Sequence, residues 1–194
     1  MKKYISIGSN ELDTYLDYAL FSAVSIFMLN ASPKEIGILG ACYALPFFFL
    51  SSVFGKYSDS LDVRKFRALL FLLCMLITPA ILIADSMVTV YLVLLAKISC
   101  RCGLNVSMPK LNSKDDESQR FYEISGYLVN ISRVIIPLLS IYLYKEHGLL
   151  SVVLLSSVLN FLGLIITLLD KPDGTTNKKD NHIPTLPPIN IIYN

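Results

Sequence analysis

Six long apolar stretches lie between Leu12 and Leu169, and at least four of them reach membrane-spanning length with one charge or none. A helix needs roughly 20 mostly apolar residues to cross a hydrocarbon core of about 30 Å. The stretches 36–54 and 149–169 supply this length without Asp, Glu, Lys or Arg. The chain is 16% charged, whereas a soluble domain has about 25% charged residues. The sequence therefore predicts a protein that lives in a lipid bilayer.

The apolar stretches also predict the fold class. In lipid every backbone polar group needs an internal partner, and the stretches show no alternation of period two, so they indicate helices rather than a barrel. We expect an all-α membrane protein, a bundle of six transmembrane helices over 12–29, 36–54, 68–84, 86–105, 124–144 and 149–169. Residues 1–11 form the N-terminal segment, 12–170 the helical domain and 171–194 a polar, flexible tail.

Lys and Arg residues predict the orientation of the bundle. With the N-terminus in the cytoplasm, twelve basic residues face that side, against Lys34 and Lys145 outside. The positive-inside rule therefore places both termini in the cytoplasm, and we expect a multi-pass protein of the bacterial inner membrane. The N-terminus lacks the apolar core of a cleaved signal peptide, so we expect it to be retained. The basic residues form no single patch, which argues against nucleic-acid binding.

One charged motif lies between the second and third apolar stretches. Residues 55–67 read GKYSDSLDVRKFR, which resembles the signature of the major facilitator superfamily: Gly, three residues, Asp, then basic residues before helix 3. The Asp at position 62 resembles the exporter branch that handles macrolides and siderophores. The resemblance implies a conformational latch at this junction, with the residues Gly55, Asp59, Asp62, Arg64 and Lys65. Asp59 could pair with Arg64 or Lys65 and hold one access state, or the segment is a solvated loop that only sets topology.

The resemblance covers 13–169, close to one six-helix half of such a transporter. In the fifth stretch, residues 132–137 read SRVIIP and resemble the antiporter signature of Arg, three residues and Pro, which assigns Arg133 and Pro137 to the proton or substrate path. The glycines that flank this Pro in the family are replaced by Ile136 and Ser140. An Arg in the middle of an apolar helix should face the bundle interior and find a carboxylate, and we expect Asp17 to be its partner. A purely structural tie is the other interpretation.

Acids and further bases also interrupt the apolar stretches. Asp13 and Asp17 lie four residues apart and share one helical face; either they belong to a proton path or they are ordinary first-turn acids at the interface. Lys97 and Arg101 have the same spacing in the fourth stretch and are possible site residues, because they loosely resemble the basic residue of the family's helix 4 signature. The other interpretation, which we favour, is that both extend toward the lipid headgroups.

The four cysteines and two histidines form no convincing metal site or catalytic group. We therefore expect no metal, no cofactor and no enzymatic activity.

The resemblance implies a membrane transport protein that exports a small molecule by proton coupling. The resemblance implies a half-length form that works with a second transporter half or as a homodimer, because substrates of such transporters bind between two halves. Two alternatives stay open: a membrane interaction or immunity protein that does not transport, and an inactive truncated remnant. The sequence does not identify the substrate.

Overall fold

The computed structural model describes residues 2–108 and 118–169, and these residues fold into a helical bundle without strands. The six α-helices are α1 Lys2–Ala23, α2 Pro33–Ser60, α3 Val63–Ile77, α4 Met87–Val106, α5 Ser118–His147 and α6 Leu149–Leu169. A π-helical segment, Val24–Met28, extends α1, and a 3-10 segment, Thr78–Ile83, extends α3. The predicted six-helix fold is confirmed, whereas the predicted tail 171–194 lies outside the described residues.

Several helix boundaries differ from the prediction, most of all the start of the first helix. The first helix begins at Lys2 instead of near Leu12, because Ser6, Ser9 and Asn10 are buried against other helices. Buried polar side chains leave no apolar signal in the sequence, although they stabilise a helix when they find hydrogen-bond partners. The charged link expected at 55–67 is also mostly helical, since only two residues separate the end of α2 from the start of α3.

Side-chain caps define the beginnings of three helices. Before α2, the Ser32 hydroxyl accepts a hydrogen bond from the Glu35 N–H (3.4 Å) and the Glu35 carboxylate accepts one from the Ser32 N–H (2.7 Å), which is a capping box. Asp62 caps α3 by accepting from the Arg64 N–H. Ser86 caps α4 by accepting from the Thr89 N–H. These caps satisfy backbone donors that have no partner within the helix.

The first helix lies at the centre of the bundle. It packs against α4, α5 and α6, while α4 also contacts α2 and α3, and α3 contacts α6. Leu16, Leu20 and Phe21 of α1 belong to the main apolar core. The contact between α3 and α6 is especially close, because a Cβ added to Gly163 would lie 2.5 Å from Cε1 of Phe71. Small residues allow such close approach between membrane helices.

Five helical segments are long and apolar enough to cross a membrane, among the described residues: Pro33–Ser60, Val63–Ile83, Met87–Val106, Glu123–His147 and Leu149–Leu169. The remaining helix, α1, carries Glu11, Asp13 and Asp17, which lower its hydropathy. Asp13 and Asp17 are fully buried and Glu11 is partly buried, so the neighbouring helices shield the two aspartates from lipid.

Candidate functional site

Four charged side chains meet where α1, α4 and α6 pack together. Asp13 and Asp17 come from α1, and Lys97 and Arg101 come from α4. We call these four residues the charged cluster. All four are fully buried, with 0% of their surface exposed. The two carboxylates and two cations balance, so the cluster carries no net formal charge.

Asp17 bridges the two basic residues of α4. The Lys97 ammonium donates to Oδ1 of Asp17 over 2.5 Å, and Nε of Arg101 donates to Oδ2 over 2.8 Å. The four-residue spacing of Lys97 and Arg101 places both on one face of α4, toward α1. The prediction that they extend toward the headgroups was therefore wrong, because a buried carboxylate compensates each charge in the interior.

Asp13 is bound by α4 and α6 together. Arg101 donates from Nη2 to Oδ2 of Asp13, and Lys97 lies 3.5 Å from the same oxygen. From α6, the Ser156 hydroxyl donates to Oδ1 and the Asn160 amide donates to Oδ2, each over 2.5 Å. Ser156 also accepts from the Lys97 ammonium over 2.8 Å. The interpretation of the two acids as interfacial first-turn residues was wrong, since both lie inside the bundle.

The remaining donors of Arg101 bind α1. Nη1 donates to the Asn10 carbonyl (2.8 Å), the Asn10 side-chain oxygen (2.9 Å) and the Thr14 hydroxyl (3.2 Å). Asn10 in turn donates to the Asn105 side chain over 2.7 Å. Charge-assisted hydrogen bonds of this kind are roughly twice as strong as neutral ones. The cluster therefore ties α1 to α4 along two turns of both helices.

Arg133 lies on another side of α1 and does not join the charged cluster. Its guanidinium is exposed and donates to the Tyr15 hydroxyl from Nε (3.3 Å) and Nη2 (3.2 Å). It also lies over the Tyr15 ring, 5.7 Å from the centroid. The predicted pairing of Arg133 with Asp17 was wrong, because Lys97 and Arg101 occupy that carboxylate. Pro137 lies within α5, one turn after Arg133, and cannot donate to the Arg133 carbonyl.

The residues of the predicted latch lie at the junction of α2 and α3. Gly55 and Asp59 belong to the last turns of α2, and Asp62 caps α3. Arg64 forms an ion pair with Asp62 over 3.8 Å, with both side chains partly exposed. Lys65 is exposed in the first turn of α3. Their role in conformational change stays a prediction.

Sequence reasoning missed several polar partners. Ser156 and Asn160 lie four residues apart on an otherwise apolar helix, a spacing that indicates a polar face directed into a bundle. A second buried guanidinium, Arg67, donates to the Leu104 carbonyl (2.7 Å) and the Ser107 hydroxyl (2.9 Å). It follows the basic run at 64–65, so its sequence context resembles that of exposed residues.

The charged cluster offers no metal site. Within residues 2–108 and 118–169, no three His, Cys, Asp or Glu side chains are arranged to hold a metal ion. The arrangement offers two buried carboxylates that can accept a proton, each paired with a cation.

Comparison with known proteins gives one match. A model of the Major Facilitator Superfamily matches residues 11–192. No curated protein and no solved structure matches the chain.

Proposed function

Because this chain belongs to the Major Facilitator Superfamily and is a membrane transport protein, we propose that it exports a small molecule by proton coupling through its charged cluster. The observation that carries this proposal is the complete burial of two carboxylates with two cations between α1, α4 and α6. Ionisable groups at membrane depth are costly and usually mark ion or substrate paths.

The proposed coupling follows from charge balance. A proton on Asp17 neutralises the carboxylate that accepts from both Lys97 and Arg101. The cluster then has one positive charge in excess, and an uncompensated buried charge is unfavourable by several kcal/mol. Protonation therefore favours a second arrangement of α1 and α4, in which one cation reaches water or another anion. Loss of the proton restores the closed arrangement, which gives the two states that alternating access requires.

The junction of α2 and α3 supplies the second element of the proposal. Gly55, Asp59, Asp62, Arg64 and Lys65 form the latch that stabilises one access state at the cytoplasmic side. The cap and the ion pair that Asp62 makes with Arg64 support this role, because they fix charged side chains at the start of α3, directly after the end of α2. Both termini lie in the cytoplasm in this proposal, and the membrane is the bacterial inner membrane.

The exposed side of α5 provides the surface for a second six-helix unit. Arg133 lies near the middle of a helix that is long enough to span the membrane, and its guanidinium is exposed. A charge at this depth avoids lipid and faces an aqueous cavity or another helix. In the proposal, that cavity lies between this bundle and a second transporter half or a second copy of the chain, and it receives the substrate near Arg133 and Pro137.

Ethidium efflux from cells tests the transport proposal. We expect the chain, expressed with its partner half or as a homodimer, to lower cellular ethidium fluorescence, and a protonophore to abolish this effect. Asp17→Asn removes the titrating group and should abolish efflux when the variant and the wild type are compared at equal membrane abundance. Asp85→Asn is the matched control, because Asp85 is exposed between α3 and α4. Equal efflux from the Asp17→Asn variant and the control would reject the role of the charged cluster.

Infrared titration tests proton binding without any substrate. The protein is reconstituted in liposomes, and the carbonyl band of protonated carboxylic acids is recorded as a function of pH. We expect a protonation step that disappears in Asp17→Asn and persists in Asp85→Asn. An unchanged titration in Asp17→Asn would contradict proton binding at this residue.

A further inference from the structure

An apolar cavity lies between α1, α5 and α6, away from the charged cluster. Its volume is about 350 Å³, which is within the range of ligand pockets. The lining is almost entirely apolar and includes Ala23, Ile141 and Val152. Ser140 also lines the cavity, and its hydroxyl donates to the Ile136 carbonyl over 2.7 Å. An ordered water needs about two to four polar partners, which the apolar part of this lining does not supply.

One end of the cavity carries a positive charge. Lys145, in the last turn of α5, belongs to the lining and is exposed. The lining also includes Leu149, the first residue of α6, so the ammonium group lies at the turn that joins the two helices. The neighbouring carboxylate, Glu146, is exposed and is not part of the lining. An occupant with an anionic head and an apolar body matches this distribution.

The end of the first helix changes its geometry at the same place. Residues Val24–Met28 form a π-helix, and Phe27 of this segment lines the cavity and contacts the Tyr144 ring, with centroids 6.4 Å apart. Segments of π-helix are rare and occur frequently at functional sites. The π-helical segment of α1 therefore contributes directly to the cavity wall.

We propose that this cavity binds a single-chain anionic amphiphile, a fatty-acid carboxylate taken from the surrounding bilayer. The acyl chain lies between α1, α5 and α6, and the carboxylate lies at Lys145, at the end of the cavity next to the α5–α6 turn. This end coincides with the end of two segments that are long and apolar enough to span a membrane, Glu123–His147 and Leu149–Leu169. The proposal is independent of proton coupling, because none of its residues belongs to the charged cluster.

Binding of oleate to the purified chain in detergent tests the proposal, with methyl oleate as the uncharged comparison. Oleate should bind about fivefold more tightly than methyl oleate, as expected for one lysine beside an anionic group. Lys145→Gln should remove this preference, and the exposed Lys34→Gln is the matched control that should keep it. Equal binding of the two probes to the wild type would overturn the assignment of an anionic head.

A second variant tests the place of the acyl chain. Ala23→Phe introduces a ring into the cavity and should weaken the binding of both probes by at least tenfold. Circular dichroism and elution as a single species confirm that this variant folds, and Lys145→Gln gives an independent answer if it does not, because Lys145 is exposed. Unchanged oleate binding by folded Ala23→Phe would overturn the proposal.

Discussion

Two arginines in the middle of helices show how differently this bundle treats the same side chain. Arg101 on α4 is fully buried and binds Asp13, Asp17, Asn10 and Thr14. Arg133 on α5 is exposed and contacts Tyr15 through its hydroxyl and its ring. The charged cluster around Arg101 is thus buried and has no net formal charge, whereas the surface around Arg133 is exposed and carries a positive charge. The buried cluster is suited to stabilising one arrangement of α1 and α4. The exposed surface is suited to contact with a substrate or with a second six-helix unit.

Replacement of the two arginines by leucine should separate the two regions most strongly. Arg101→Leu leaves two buried carboxylates with one cation, and we expect a loss of about 3–5 kcal/mol in the free energy of unfolding. Arg133→Leu removes an exposed group and should change it by about 0.5 kcal/mol or less. Unfolding by sodium dodecyl sulfate in mixed micelles, followed by circular dichroism, measures both values.

A double variant provides the control for this comparison. Asp13→Leu with Arg101→Leu removes one charge of each sign and leaves the pair of Asp17 and Lys97. We expect a smaller loss of stability than in Arg101→Leu alone, because the cluster is balanced again. Equal losses for the two single leucine variants would show that the surface around Arg133 is covered in the intact protein.

The helices were predictable from sequence, but the sides that they bury were not. Long apolar stretches require helices in lipid, so the six-helix fold followed directly. Lys97, Arg101 and Arg133 have the same local signal, a basic residue within an apolar helix, and the sequence contains no information about which partners other helices bring to them. The prediction placed Arg133 in the bundle interior and directed Lys97 and Arg101 toward the lipid headgroups. In the structure Arg133 is exposed, and Lys97 and Arg101 are buried. Asp13 and Asp17 were identified because any acid at this depth needs an explanation.

The start of the first helix was missed for a related reason. Ser6 is buried and bonds to Thr167 over 3.1 Å, and Asn10 bonds to Asn105. Hydropathy counts these polar side chains as surface residues, whereas their partners lie on α6 and α4. A helical face of polar residues at positions 6, 10, 13 and 17 was the available signal, because these positions recur every three or four residues.

The close contact of α3 and α6 extends the comparison from charge to packing. A Cβ at position 163 would lie 2.5–2.8 Å from ring atoms of Phe71, which is itself 0% exposed. We expect Gly163→Ala to lower the free energy of unfolding by about 1–3 kcal/mol, because the ring has no room to move. Gly40→Ala is the control on the open side of α2, where an added Cβ meets nothing within 4 Å. A neutral Gly163→Ala would mean that the two helices separate readily.

Ser156 tests how much α6 contributes to the stability of the charged cluster. Its hydroxyl donates to Asp13 and accepts from Lys97, so Ser156→Ala removes one partner from each charge. Both charges keep charged partners, and we expect a loss of only about 1 kcal/mol, measured by the same unfolding titration. Ser157→Ala, at the next position of α6, should be closer to neutral. If both variants lose the same free energy of unfolding, the loss does not come from the hydrogen bonds of Ser156 to the charged cluster.

Arg133→Ala should have the smallest effect on stability, because its side chain is exposed, and under the proposed function it should nevertheless abolish ethidium efflux. The free energy of unfolding should change by about 0.5 kcal/mol or less. Tyr15→Phe refines this test, since it removes the hydroxyl that Arg133 binds and keeps the ring beneath the guanidinium. If the hydroxyl positions Arg133, Tyr15→Phe should reduce efflux partly. Full efflux in Arg133→Ala would contradict a role of Arg133 in transport. The exposed surface of α5 would then serve only for contact with the second six-helix unit.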